Sequence, residues 1–173
     1  MLEEHAANNT EIWHRLVESE IAYIQSRQNF IKICTDKVAI LQKALHTPAE
    51  RGTALRLIEY LKTEECQLLF DDLVDLASVS QSDIELCRQA ILALPKSWLI
   101  ENIEKSTETI LENGTDEEYR RLLELYIKID LELAGRLAKQ ALQHEDPDIC
   151  EVGEDFDNYL KKKVENAHIF QVN

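Results

Sequence analysis

The chain has 173 residues, a formal net charge of −14, 45% hydrophobic residues and 30% charged residues, which suits one soluble domain with a real core. That charge argues against non-specific nucleic-acid binding, which needs clustered Lys and Arg against phosphate, and against an anionic membrane surface. Only four Gly and three Pro are present, and Leu, Ala, Glu, Lys, Gln and Ile dominate, so an all-α fold is expected.

The opening MLEEHAANNTE is acidic and polar, unlike a secretory signal, and no apolar run reaches the roughly 18 residues of a spanning helix. Cys34, Cys66, Cys87 and Cys150 are scattered, with no C-x-x-C pair, as in a cytoplasmic protein with reduced thiols. Residues 1–46 read as one long N-terminal helical segment. Thr10 is a plausible N-cap, and no Gly or Pro follows until Pro48, so the helix is expected to run to about residue 45. In sevens, Val17, Ile24, Ile31, Val38 and Leu45 share one seam position. Trp13, Cys34 and Leu41 share the other, which Glu20 and Arg27 interrupt. Leu16, Tyr23 and Phe30 widen the stripe beyond a two-position coiled-coil seam. Two targets fit this width. One is the chain's own first repeats, with the helix capping them. The other is a second molecule, giving an antiparallel homodimer with Glu20 facing Arg27. Thr35 and Asp36 mark where the helix would break.

From Thr47 the helix starts become legible. TPAE at Thr47 has a Thr cap, Pro at the first helical position and Glu at the third, which is a capping box with a preorganised first turn. SDIE at Ser82 and TDEE at Thr115 repeat the logic, and DPDI at Asp146 keeps the cap and the Pro. These starts are 35, 33 and 31 residues apart. Thr63, Ser97 and Asp130 form a second series at spacings of 34 and 33. Each block then reads as two short helices: 48–62 with 64–78, 83–94 with 98–113, and 116–129 with 131–143. A last helix opens at 147. ENG at Gly114 reads as a C-terminal glycine stop. Residues 47–166 thus make the repeat region and 167–173 a tail. A two-helix unit cannot bury both of its apolar stripes alone, but a stack of such units can.

ALQHEDPDICEVGEDFDNYL and SVSQSDIELCRQAILALP resemble HEAT repeats, in which a short acidic or hydroxyl cap opens the first helix. Arg88 and Arg120 stand where such a first helix carries an Arg. Tetratricopeptide-like pairs also fit the length. The HEAT resemblance implies a right-handed α-solenoid of two-helix repeats whose second helices line a concave face.

The segment HEDPDICEVGEDF packs six acidic residues around one Pro and one Gly. A calcium loop counted from Asp146 would need Gly at its sixth place, where Glu151 stands. Asp146 therefore reads as a helix cap, with Asp148 and Glu151 favoured by the helix dipole. Glu11–His14 and Glu165–His168 are both Glu-x-x-His, the ligand pair of helical di-metal carboxylate enzymes. They define the alternative function. Cys150 near His144 is expected to be structural, because a ring of carboxylates disfavours the thiolate.

The most informative surface feature is acidic. Glu101, Glu104, Glu108 and Glu112 recur at helical spacing on one flank of the helix 98–113. Glu64, Asp71 and Asp75 do so on 64–78. Under the HEAT resemblance these two ridges lie side by side. They define the expected partner-binding residues of a non-enzymatic interaction module (a scaffold, adaptor or regulatory subunit) for a basic peptide or protein surface. No cofactor is expected.

Overall fold

The structure, a computed structural model, describes residues 2–79 and 82–171, and their side chains except those of 2–7, 164 and 166–171. The described residues form ten helices and no strand. They are α1 (Leu2–Ile33), α2 (Lys37–Leu45), α3 (Pro48–Ile58), α4 (Thr63–Gln67) and α5 (Phe70–Ser78). The others are α6 (Ile84–Leu92), α7 (Lys96–Asn113), α8 (Asp116–Ile129), α9 (Leu131–Ala141) and α10 (Pro147–Gln171). No helix among the described residues is long and apolar enough to cross a membrane.

The long N-terminal helix is two helices. α1 starts eight residues before Thr10, which lies inside it, and the chain breaks at Cys34–Asp36. The body begins there. Leu41, Ala44 and Leu45 of α2 are buried, whereas α1 is exposed over most of its length. α2 packs on α3 and α5, so the expected cover over the first repeat comes from α2. α1 touches the body near its C-terminal end: Phe30 leans on the core and Arg27 donates to the Tyr60 hydroxyl at 2.7 Å.

Several caps form as the sequence implies. Glu118 accepts the Thr115 backbone N–H at 2.8 Å. Asp130 Oδ1 accepts from the backbone of Glu132 at 2.9 Å and of Leu133 at 3.4 Å, so one residue ends α8 and starts α9. Others shift by one or two places. Asp83 rather than Ser82 precedes α6, Lys62 rather than Thr63 precedes α4, and Pro95 precedes α7. The helix expected over 64–78 is bent at Leu68–Leu69, which sets Leu69 and Phe70 both into the core and leaves Leu68 outside.

Gly114 is not a left-handed stop. Its φ is −75°, and its need for glycine is steric, since a Cβ there would stand 2.6 Å from the Ile110 carbonyl oxygen. α10 continues through the expected 166/167 boundary to Gln171, because no Gly or Pro follows Gly153 to stop it.

Packing follows a regular order. α3 packs on α6, α6 on α8 and α8 on α10. α2 packs on α5 and α5 on α7. Consecutive helices α2–α3, α5–α6, α8–α9 and α9–α10 pack on each other most extensively. The core between them is dominated by Leu and Ile, with Leu45, Leu69, Leu73, Ile91, Ile103, Leu122 and Leu125 fully covered.

Polar ties repeat the spacing of the helix starts. Ser106 binds Asp71, 35 residues back, Arg88 binds Glu124, 36 ahead, and Arg120 binds Asp155, 35 ahead. Arg88 is the most enclosed of these cations, with its side chain 7% exposed. Its guanidinium donates to Glu85 at 2.8 Å, to Glu124 at 2.5 Å and to the Arg121 carbonyl at 3.2 Å.

Candidate functional site

α5 and α7 lie against each other and carry six of the seven acidic residues singled out from the sequence. Glu64 is the exception. It sits on α4, which the bend at Leu68–Leu69 separates from α5.

The acidic residues on the two helices do not form one row. Asp71 accepts a hydrogen bond from Ser106 at 2.6 Å, which ties the α5 ridge to the hydroxyl and amide side of α7. There a surface groove of about 670 Å³ is lined by His46, Asp71, Asp72, Asp75, Ser106, Thr109 and Asn113. The α7 carboxylates turn the other way, toward α9. A second groove of about 470 Å³ is lined by Glu104, Glu108, Glu112, Lys105, Arg136 and Gln140. Helical geometry explains the split. The Glu residues at 101, 104, 108 and 112 share one flank, and Ser106, Thr109 and Asn113 lie roughly 100° around the axis.

Besides Asp71, two more of the acidic side chains near these grooves are already matched. Arg136 holds Glu104 with two hydrogen bonds, 2.9 and 3.1 Å, in the fork geometry of a guanidinium on a carboxylate. Asp72 accepts from Gln42 at 2.9 Å and lies 2.7 Å from His46 Nε2. Asp75, Glu101, Glu108 and Glu112 are exposed and make no ion pair among the described residues. They are the open charges of this face. The groove beside α9 has a fixed floor. Tyr126 is buried and its hydroxyl lies 2.6 Å from Thr107 Oγ1, with burial pushing the phenol up to about 12. It stays neutral across the physiological range.

Sequence reasoning missed His46, Asp72, Ser106 and Arg136 as members of this surface. A signal for two of them was present. Arg136 lies 32 residues after Glu104 and Ser106 35 after Asp71, each about one repeat on. Residues one repeat apart face each other across neighbouring helices when two-helix units stack.

The acidic HEDPDICEVGEDF segment is the start of α10. Asp146 Oδ1 accepts the Asp148 N–H at 2.9 Å, and its carbonyl accepts from Cys150 at 3.1 Å. Gly153 serves packing. A Cβ there would stand 2.7 Å from the Leu142 nitrogen and 3.0 Å from the Ala138 carbonyl, so glycine lets α10 lie close on the end of α9. The Cys150 thiol donates to the His144 backbone carbonyl at 3.0 Å, while the His144 ring nitrogen accepts the Asp146 N–H. Thiol and imidazole are thus each engaged with backbone. Cys66 and Cys87 are buried, which pushes both thiols up to about 11.

Of the two Glu-x-x-His motifs, Glu11 is tied to Arg15 and His14 is exposed beside it on α1. Glu165 is exposed on α10, and the His168 side chain lies outside the described residues. Comparison with known proteins finds no matching family model, no matching curated protein and no matching solved structure.

Proposed function

We propose that the chain is a non-enzymatic protein-interaction module, a HEAT-like right-handed α-solenoid that receives a basic peptide or basic protein surface on the face built by α5, α7 and α9. The observation that carries this reading is the pair of grooves lined by the open carboxylates Asp75, on one, and Glu108 and Glu112, on the other. The recurrence of polar ties at about one repeat length supports the solenoid. α3, α6, α8 and α10 then make one row of helices, and α2, α5, α7 and α9 the other. A field of one sign over a groove steers an oppositely charged partner and falls with salt.

Glu108 and Glu112 are the residues to reverse. Glu104 is unsuitable, because a lysine there would face Arg136. In the test, a fluorescent Lys/Arg-rich peptide is titrated with the full chain at low and at physiological salt. The expected result is binding that weakens with salt and is lost in the Glu108→Lys/Glu112→Lys variant, while the unfolding curve moves by less than about half a kcal/mol. Binding indifferent to the double reversal overturns the reading. Stoichiometric iron or manganese in the purified protein would favour the di-metal alternative instead.

A further inference from the structure

α1 carries a broad apolar stripe that the rest of the fold leaves open. Phe30, Ile31 and Cys34 are partly buried, and Arg27 is held between the Tyr60 and Tyr23 rings. From residue 26 back to residue 8 only Val17 and Ile24 are even partly covered. Trp13 is 61% exposed, Leu16 59%, Ile12 58% and Tyr23 39%. These four residues lie along one flank of the helix with Val17 and Ile24, over an arm about 28 Å long. A helix that buries no stripe is marginal in water, since packing supplies most helical stability.

We propose that this arm, residues 8–26, pairs antiparallel with the same arm of a second copy of the chain. Area fits a weak, reversible dimer. The open parts of Ile12, Trp13, Leu16 and Tyr23 amount to roughly 400–500 Å² per copy, given about 150–250 Å² for a whole aromatic side chain. Two copies then bury about 800–1,000 Å², the size of a transient interface. Charge selects the direction. Overlaid antiparallel about residue 17, the midpoint of the arm, Glu20 stands level with His14 of the second copy. A parallel overlay stacks like on like and sets Glu20 against its own copy. The pairing with Glu20 facing Arg27 of the partner is displaced, because the chain's own body already occupies that side of α1 around Arg27. The proposal is independent of the acidic-groove reading.

The test is the mass of the full chain in solution, by light scattering or sedimentation, over roughly two decades of micromolar concentration. The expected result is a dimer that Trp13→Glu/Leu16→Glu weakens at least about 100-fold, as loss of a central aromatic anchor does. The body's melting curve is expected to stay in place. Trp13→Phe keeps the apolar contact and is expected to keep the dimer. A monomer throughout overturns the proposal, and so does a dimer untouched by the double variant. Direction is read with Asn8→Cys in a Cys34→Ser background. In the antiparallel pair the two copies of residue 8 stand roughly 30 Å apart along the axis, so no disulfide between them is expected. Efficient linkage at that site, mapped by mass spectrometry, overturns the antiparallel arrangement.

Discussion

Leu16 and Leu73 are the same side chain on two helices of one chain, in opposite surroundings. Leu16 is 59% exposed on α1, and Leu73 is fully covered on α5. α1 has the apolar content of a packed helix and lacks neighbours to receive it. α5 is only nine residues long, yet it touches α2, α6, α7 and α8. Apolar patterning therefore states which face wants cover. It does not state whether the cover comes from the same chain.

The contrast can be tested by the same deletion in both regions. Leu73→Ala is expected to cost about 3 kcal/mol in urea unfolding, from lost transfer energy and a cavity. Leu16→Ala is expected to shift the body's unfolding by less than about half a kcal/mol and to weaken self-association instead. Equal losses would show that α1 belongs to the body's cooperative unit.

The next largest effect concerns the tie between α6 and α8. Arg88→Met keeps a similar length and removes the cation that joins Glu85, Glu124 and the Arg121 carbonyl. The carboxylates left behind are 59% and 31% exposed and can be solvated, so the expected cost is about 2 kcal/mol, that of the lost charge-assisted hydrogen bonds. A loss below about 1 kcal/mol by chemical denaturation would mean that apolar packing alone holds these helices together.

Two glycines sharpen the comparison between close and open helix faces. A Cβ at Gly153 meets the backbone of α9, whereas one at Gly135 meets nothing within 4 Å. Gly153→Ala is expected to destabilise by about 1–3 kcal/mol through overpacking. Gly135→Ala is expected to stabilise by about 0.5–1 kcal/mol, the usual gain at an open helix interior. Thermal melts of the two variants should move in opposite directions, and movement the same way would contradict the packing described.

The smallest effect is a cap. Asp130→Ala is expected to cost about 1 kcal/mol near neutral pH. The Lys96 ammonium beside Asp130, with the Glu132 and Leu133 backbone N–H groups, holds its carboxyl below the ordinary aspartate value. Because the folded value is the lower one, this contribution is present above the unfolded value and is lost as pH falls through the folded value. The deficit of the variant should therefore shrink in acid, as measured by denaturation across that range. A deficit constant with pH would show that the carboxylate's charge is not what the cap uses.

Local chemistry made much of the fold legible. Thr115, Asp130 and Asp146 cap where their side chains and spacing imply, because a cap needs only its own first turn. The scarcity of Gly and Pro excluded a turn-rich chain, and the period of Leu and Ile marked the helices from α3 onward. The boundaries that moved did so for tertiary reasons. Leu69 and Phe70 both enter the core, and the chain bends to let them. Gly153 holds its place through close contact with α9, which no local pattern displays, whereas Gly114 answers to the Ile110 carbonyl only four residues back.

The acidic residues were legible as charge and not as geometry. Sequence placed Glu101, Glu104, Glu108 and Glu112 on one flank of a helix. Only the packed structure turned that flank toward α9, gave Glu104 to Arg136, set Asp71 on Ser106 and left Asp75, Glu108 and Glu112 open. For α1 the sequence determined a helix with an apolar stripe, since that needs nothing beyond its own periodicity. The tertiary structure decided that the body ends near Arg27 and Phe30, because α2 already covers the first pair of helices and leaves no surface for the rest of the stripe to reach.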